Sequence, residues 1–229
     1  MNEREQILGR IREALKVPAP VPGHHGEAST LAVAPGAPSA LVRQWLPGVG
    51  ETFEEQLAAF RNKCSELRAD VHLVHSAGEC VQLLAELAQR EQWKKIGTHQ
   101  GELTDLVSGK LNQQVCRTDK GYAVADLESC DAGITECDAL VAQTGSVLLT
   151  GRSAGGRALS VLPPHHVVLA RREQLMRDLP EAFAFLKKKY GNNYPSFISF
   201  ITGPSRTGDI ERILVLGAHG PKKLTIVCM

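Results

Sequence analysis

Residues 71–101 read VHLVHSAGECVQLLAELAQREQWKKIGTHQG, and their pattern decides the fold class. Val71–His75 is a short run of apolar and imidazole side chains that predicts a strand. Gly78–Gln92 spaces Val81, Leu84 and Ala88 at helical intervals and predicts a helix with one inward face. Lys94–Gly97 is a second short strand, running into Thr98-His99-Gln100-Gly101. Strand, helix, strand in that order implies a right-handed crossover between parallel strands. His72 and His75, three residues apart on a strand, project to opposite faces and form no chelating pair.

The same alternation extends in both directions. Upstream, Glu51–Arg68 is a helix whose Phe53, Leu57, Phe60, Cys64 and Leu67 recur along one buried stripe. Downstream, Glu102–Ser108 is helical, Gln113–Arg117 extended and Asp131–Thr135 a strand. Ala139–Ala142 and Ser146–Thr150, divided by Gln143-Thr144-Gly145, predict an antiparallel hairpin added to the parallel sheet. Gly151–Pro164 is a flexible loop, His165–Ala170 an apolar strand, and Arg171–Tyr190 a helix burying Leu175, Leu179, Phe183 and Leu186. Ser196–Thr202 and Leu224–Cys228 supply the last strands. His165-His166 after two prolines are candidates to line a cleft, though a strand start beside Val167 favours core or edge histidines.

Asn2–Lys16 predicts an amphipathic helix, and the stretch from Val17 to Gly50, with half of the chain's 12 prolines, reads as an extended arm. The expected organisation is therefore residues 1–50 as helix plus arm and 51–229 as the α/β domain. His24-His25 in the arm is read as solvent-facing. With 26 basic and 25 acidic residues and 5 % aromatics, the chain offers neither the field nor the stacking surface of a nucleic-acid binder. No apolar run reaches the ~20 residues of a membrane span, and the charged N-terminus is unlike a secretory signal; a cytoplasmic location is expected. The 6 cysteines are scattered without a Cys-x-x-Cys pair, which supports neither a zinc knuckle nor an iron–sulfur centre. Dinucleotide, Walker and nucleophile-elbow motifs do not occur, and Ser146 after Gly145 reads as a turn serine.

Chemistry concentrates after the strand that ends at Gly203-Pro204, a dipeptide that stops a ladder. Ser205, Arg206, Thr207, Asp209 and Glu211 follow, and a second turn brings His219. Polar groups at a strand's carboxyl end are where α/β proteins build ligand sites. Two carboxylates in the first turn disfavour a phosphate cradle, so Arg206 is expected to meet the anion, with Asp209 and Glu211 orienting it or a hydroxyl. The predicted cleft lies between the 143–157 and 203–219 regions. Thr144 and His219 serve as wall donors, Ser146 and Thr207 add hydroxyls, and Gly145 and Gly203 allow close backbone approach. Arg157 is a second anion contact.

Gly203-Pro-Ser-Arg-Thr-Gly-Asp-Ile-Glu211, Gly217-Ala-His-Gly-Pro221, Gly133-Ile-Thr with Gln143-Thr-Gly-Ser146, and Leu159-Ser-Val-Leu-Pro-Pro164 resemble the lactate utilisation protein C family, or LUD domain, in the family's order. The resemblance implies an α/β fold akin to CoA transferases and sugar-phosphate isomerases. It also implies a role in oxidising L-lactate to pyruvate with cysteine-rich partners, at least one carrying iron–sulfur clusters, this chain being the cluster-free member with no cofactor of its own. Two positions depart from the family: Gln143 where it usually has Glu, and Gly208 where it usually has Ala. An amide does not titrate, so Gln143 does not replace a catalytic glutamate. Two further classes of function stand beside this one. A free-standing transferase or isomerase acting on CoA esters or phosphosugars needs a carboxylate in the cleft, for which Asp131, Glu136 and Asp138 are candidates; a non-catalytic adaptor would work through residues 1–50.

Overall fold

A computed structural model describes residues 48–207, 215–217 and 219–229, together with Glu5, Gly9 and Glu13, which are helical and exposed. The sequence readings on the rest of the N-terminal helix and arm, and on Asp209 and Glu211, lie outside the described residues. The chain forms two compact units, Met1–Ala37 and Pro38–Met229.

The second unit begins with α1 (Phe53–Glu66), whose N-cap Thr52 and Glu55 close a reciprocal capping box. The crossover region gives β1 (Asp70–Leu73), α2 (Ala77–Arg90), β2 (Lys95–Thr98), α3 (Glu102–Ser108) and β3 (Gln114–Arg117). After α4 (Val124–Glu128) come β4 (Ala132–Glu136), β5 (Ala139–Val141), β6 (Ser146–Thr150), β7 (His165–Ala170) and β8 (Leu175–Met176). Then follow α5 (Leu179–Tyr190), β9 (Ile198–Ile201), β10 (Arg206–Thr207), β11 (Val215–Leu216) and β12 (Lys223–Cys228).

Six strands form one sheet in the order β1-β12-β7-β4-β2-β3, every neighbour parallel. Its central strand β7 is buried at all six positions, as a parallel sheet covered on both faces requires. On one face, Leu84, Leu87 and Ala88 of α2 and Leu103 and Val107 of α3 meet Ile96, Ile134, Val167 and Leu169. On the other, Val168, Ala170, Leu224 and Ile226 pack with Phe60 and Cys64 of α1 and with Leu140, Val147 and Leu149 of the hairpin.

That hairpin departs from the expected position. It does not extend the parallel sheet; it is the centre of a second sheet, ordered β8-β5-β6-β9. The reason lies in its alternation. Leu140, Val147 and Leu149 point to the parallel sheet, whereas Ala139, Val141 and Leu148 point to Ala182, Leu186 and Tyr190 of α5. A strand pair apolar on both faces needs two covers.

The predicted helix over 171–190 is also corrected. Arg172–Gln174 is a single 3-10 turn and Leu175–Met176 is a strand parallel to β5. The helix starts only after Asp178, whose side chain accepts from the Glu181 N–H, with Pro180 in the first turn. A proline deep inside a helix costs ~3 kcal/mol, but in the first turn its missing N–H is not needed. Restarting there resets the phase: Ala182, Leu186 and Tyr190 face inward and Phe183 is 57 % exposed. The loop after Gly203 likewise contains structure, a ribbon pairing Arg206 with Leu216 and Thr207 with Val215.

Candidate functional site

A cleft of about 220 Å³ is lined by residues that include Ser160, His166, Phe197, Ser199, Ser205 and His219. Gly203 and Pro204 after β9 and Gly220 and Pro221 before β12 complete its wall. His166 and Leu224 are the second residues of their parallel strands. The cleft therefore opens at the amino ends of β7 and β12, where the two sheets part, and not at the carboxyl ends of the parallel strands. The carboxyl end of β9, where the sequence reading put the site, borders this cleft, and β9 belongs to the second sheet.

The loop that closes this end is held by a close approach. A Cβ on Gly133 would stand 2.2 Å from the Leu159 carbonyl oxygen, so only glycine lets Leu159–Pro163 cross the start of β4. Ser160 is buried and donates to the Arg157 carbonyl at 3.0 Å. Gly203, at φ +84°, turns the chain out of β9. The Ser205 N–H donates to the Pro221 carbonyl at 2.9 Å, tying the two turns together.

Of the predicted ligand contacts, the structure brings Gly203, Ser205 and His219 to this cleft. Arg157 stands beside it, its guanidinium 5.7 Å from the centre of the Phe197 ring. Arg206 turns elsewhere: its Nη2 donates to the Leu67 carbonyl at 2.8 Å, satisfying a backbone acceptor at the end of α1. The three hydroxyls of Thr144, Ser146 and Thr202 form a chain with spacings of 2.7 and 2.8 Å on the β6–β9 pair. Gly145, at φ +65°, packs on Lys63 and Cys64 of α1, and Cys64 Sγ donates to its carbonyl at 3.7 Å. Gly145 is thus an anchor for α1, the Thr144 and Ser146 hydroxyls bond each other and Thr202, and none of the three lines the cleft. Thr207 lies on β10.

The residue that sequence reasoning set aside is His166. It is 1 % exposed and lines the cleft, with Nε2 2.9 Å from Thr135 Oγ1. Its Nδ1 has no hydrogen-bond partner among the described residues. Burial drives its pKa down to about 3, with His165 contributing, so the ring is neutral at physiological pH. Its neighbour points the other way: His165 stacks edge-on against Trp93 at 5.2 Å and bonds Thr225 Oγ1 at 2.9 Å. Two adjacent histidines on one strand therefore divide into a core residue and a cleft residue. The available signal was period 2, since His166 shares its face with Val168 and the loop over Gly133.

The three candidate carboxylates serve the scaffold. Asp131 accepts from the Lys94 and Lys95 N–H groups at 2.7 and 3.0 Å. Glu136 accepts from the Leu103 and Thr104 N–H groups at 2.8 and 3.1 Å. Asp138, 2 % exposed, accepts from Lys189 Nζ at 2.6 Å and from the Tyr190 hydroxyl at 2.7 Å. No Asp or Glu lines the cleft among the described residues, and Gln143 is buried at the hairpin turn without lining it. Among the described residues no group of three or more His, Cys, Asp or Glu is placed to hold a metal ion, and no helix is long and apolar enough to cross a membrane. The cleft offers hydroxyls, two imidazoles and an apolar wall: groups that bind and orient a small polar molecule by hydrogen bonds.

Comparison with known proteins agrees with this architecture. A crystal structure of a DUF162 family protein from Deinococcus radiodurans superposes with a TM-score of 0.62 at 22 % identity, covering 78 % of this chain and 99 % of that one; the likeness is one of fold. Among curated proteins, the lactate utilization protein C of Halalkalibacterium halodurans is 37 % identical over 131 residues, 56 % of this chain and 57 % of the relative. Those of Geobacillus sp. WCH70 and Deinococcus radiodurans are 36 % identical over 102 residues and 30 % over 118, covering 44 and 51 % of this chain and 42 and 55 % of the relatives. The chain thus spans about half the length of the curated relatives it matches. The model of the LUD domain matches residues 57–229, from within α1 to the last residue of the sequence, and the chain belongs to that family.

Proposed function

We propose that this chain is a cytoplasmic subunit of an L-lactate utilisation system, contributing to oxidation of L-lactate to pyruvate. In this reading the redox centres sit on iron–sulfur and cysteine-rich partner proteins, this chain carries no cofactor, and its cleft takes a small carboxylate. Residues 1–50 act as an arm for docking on the domain or a partner, and residues 51–229 carry the ligand site. The observation that carries the reading is membership of the LUD family over residues 57–229, together with relatives named for lactate utilisation. The cleft supports it physically. A volume of about 220 Å³ lies below the ~300–1,000 Å³ of pockets that hold drug-sized ligands. It suits a short acid better than a whole CoA ester. The transferase or isomerase alternative also asks for a carboxylate at the reacting centre, a group the described cleft residues do not provide.

The test is genetic and biochemical. A strain lacking this chain is grown on L-lactate and on glucose, then complemented with the full chain, and the tagged chain is purified to identify co-purifying proteins. The reading requires loss of growth on L-lactate alone and recovery of iron–sulfur proteins with the chain. Normal growth on L-lactate without the chain would refute it.

A further inference from the structure

We propose that His166 is the recognition group of the cleft, presenting its Nδ1–H to an acceptor oxygen of a small monocarboxylate. The assignment starts from donor accounting. The His166–Thr135 bond is buried, and Thr135 itself is 0 % exposed. If Nε2 carried the ring proton, the Thr135 hydroxyl proton would be a buried donor without an acceptor among the described residues. With Nε2 as acceptor, the Thr135 hydroxyl is satisfied, and the ring proton sits on Nδ1, the atom that lacks a partner. The first arrangement leaves two buried groups unmet, the Thr135 O–H and the Nδ1 lone pair, whereas the second leaves one, the Nδ1–H. Each unmet group carries its own desolvation cost, so the second is preferred, and its unmet N–H belongs to a residue lining the cleft.

Such a donor suits an oxygen that accepts and has no proton of its own to place, such as a carboxylate or a 2-oxo group. Val161, Phe197, Ile201 and Leu224 line the same cleft and give a short alkyl group an apolar bed. Hydroxyls of Ser199 and Ser205 and the exposed imidazole of His219 remain for the second oxygen. Because burial keeps the His166 ring neutral, it acts as a hydrogen-bond donor and not as a counter-ion. Thr135 does not line the cleft; it is a positioning residue that fixes the tautomer. Choosing a three-carbon acid as the ligand rests on the proposed role in lactate utilisation; the tautomer does not.

The experiment uses the full chain labelled with 15N-histidine, His166 being assigned by the signal lost in His166→Phe. Long-range 1H–15N spectra are expected to show the neutral Nδ1–H tautomer, and titration with sodium pyruvate or sodium L-lactate is expected to shift that signal saturably. His166→Phe is expected to weaken binding at least tenfold, equivalent to about 1.4 kcal/mol. Thr135→Val, which keeps the imidazole and guards against a His166→Phe chain that does not fold, is expected to give mixed tautomers and roughly threefold weaker binding, a fraction of one hydrogen bond. A proton on Nε2, or a His166 signal unmoved by both acids, overturns the assignment. Should the signal saturate with pyruvate while a strain lacking the chain grows normally on L-lactate, the functional reading falls and the His166 assignment stands.

Discussion

Replacing Asp138 with Asn isolates the buried charge that joins α5 to the hairpin. The side chain keeps its shape and still offers an oxygen to Tyr190, so the change removes charge without opening a cavity. In the wild-type chain burial disfavours the carboxylate, but hydrogen bonds from Lys189, Ser153, Tyr190 and Thr150 outweigh it and hold the pKa below the ordinary value. The Tyr190 bond at 2.7 Å is buried, and turning a charge-assisted bond into a neutral one loses about 1 kcal/mol. The Lys189 contact at 2.6 Å is short, yet the lysine side chain is 44 % exposed, so screening limits it to roughly 0–1 kcal/mol. The amide also brings an N–H2 group into a site arranged for an acceptor. Together these place the loss near 2 kcal/mol, or about 4–8 °C in Tm for a unit of this size.

The sign with pH follows from the depressed pKa. A carboxyl that titrates lower when folded contributes stability in full above its unfolded value of ~3.9, and that contribution is lost as pH falls through the folded value. Urea unfolding of wild type and Asp138→Asn at pH 7 and again near pH 3 measures this directly. The gap is expected to be near 2 kcal/mol at the higher pH and to close substantially at the lower. A gap that is the same at both, or already below about 0.5 kcal/mol at pH 7, refutes the account of Asp138 as a buried anion held by its donors.

Three other outcomes are expected. Leu186→Ala, at 3 % exposure, should cost about 2–5 kcal/mol, whereas Phe183→Ser, half exposed with its ring 5.3 Å from that of Phe200, should cost about 0.5–1.5 kcal/mol; thermal melts in which Phe183→Ser costs as much as Leu186→Ala would restore the helix phase read from sequence. Gly133→Ala sets a methyl against the Leu159 carbonyl and should cost about 1–3 kcal/mol by overpacking while loosening the cleft loop, seen as faster amide exchange over 159–163; an unchanged exchange rate there contradicts the close approach. In the native state Cys116 should be alkylated first, because Cys64, Cys80, Cys130, Cys137 and Cys228 are buried and burial raises each of their thiols, Cys64 to about 12. Mass spectrometry after brief iodoacetamide treatment reads the order, and modification of Cys64 ahead of Cys116 would contradict it.

The sequence by itself carried the α/β class, the crossovers around β1, α2 and β2, and the strands β6 and β7 to the residue, because each depends on local periodicity and on turn residues. It also carried family membership, since the motifs are contiguous. The start of α5 has a local signal as well, Asp178 followed by Pro180, which lies inside a run of apolar residues spaced as if one helix continued through it. Only tertiary structure decided which sheet received the β5–β6 hairpin. Both faces of those strands are apolar, and local pattern does not say whether the second cover is a helix or another sheet. The site divided in the same way. Turn chemistry at Gly203-Pro204 and Gly217–Pro221 marked two walls of the cleft, but where a side chain points was fixed by its neighbours. Arg206 went to the Leu67 carbonyl because an orphan acceptor at a helix end lay within reach. His166 lines the cleft beside its register partner Gly133, a pairing of strands adjacent in the sheet and far apart in the chain, and the Leu159–Pro163 loop crosses at that glycine.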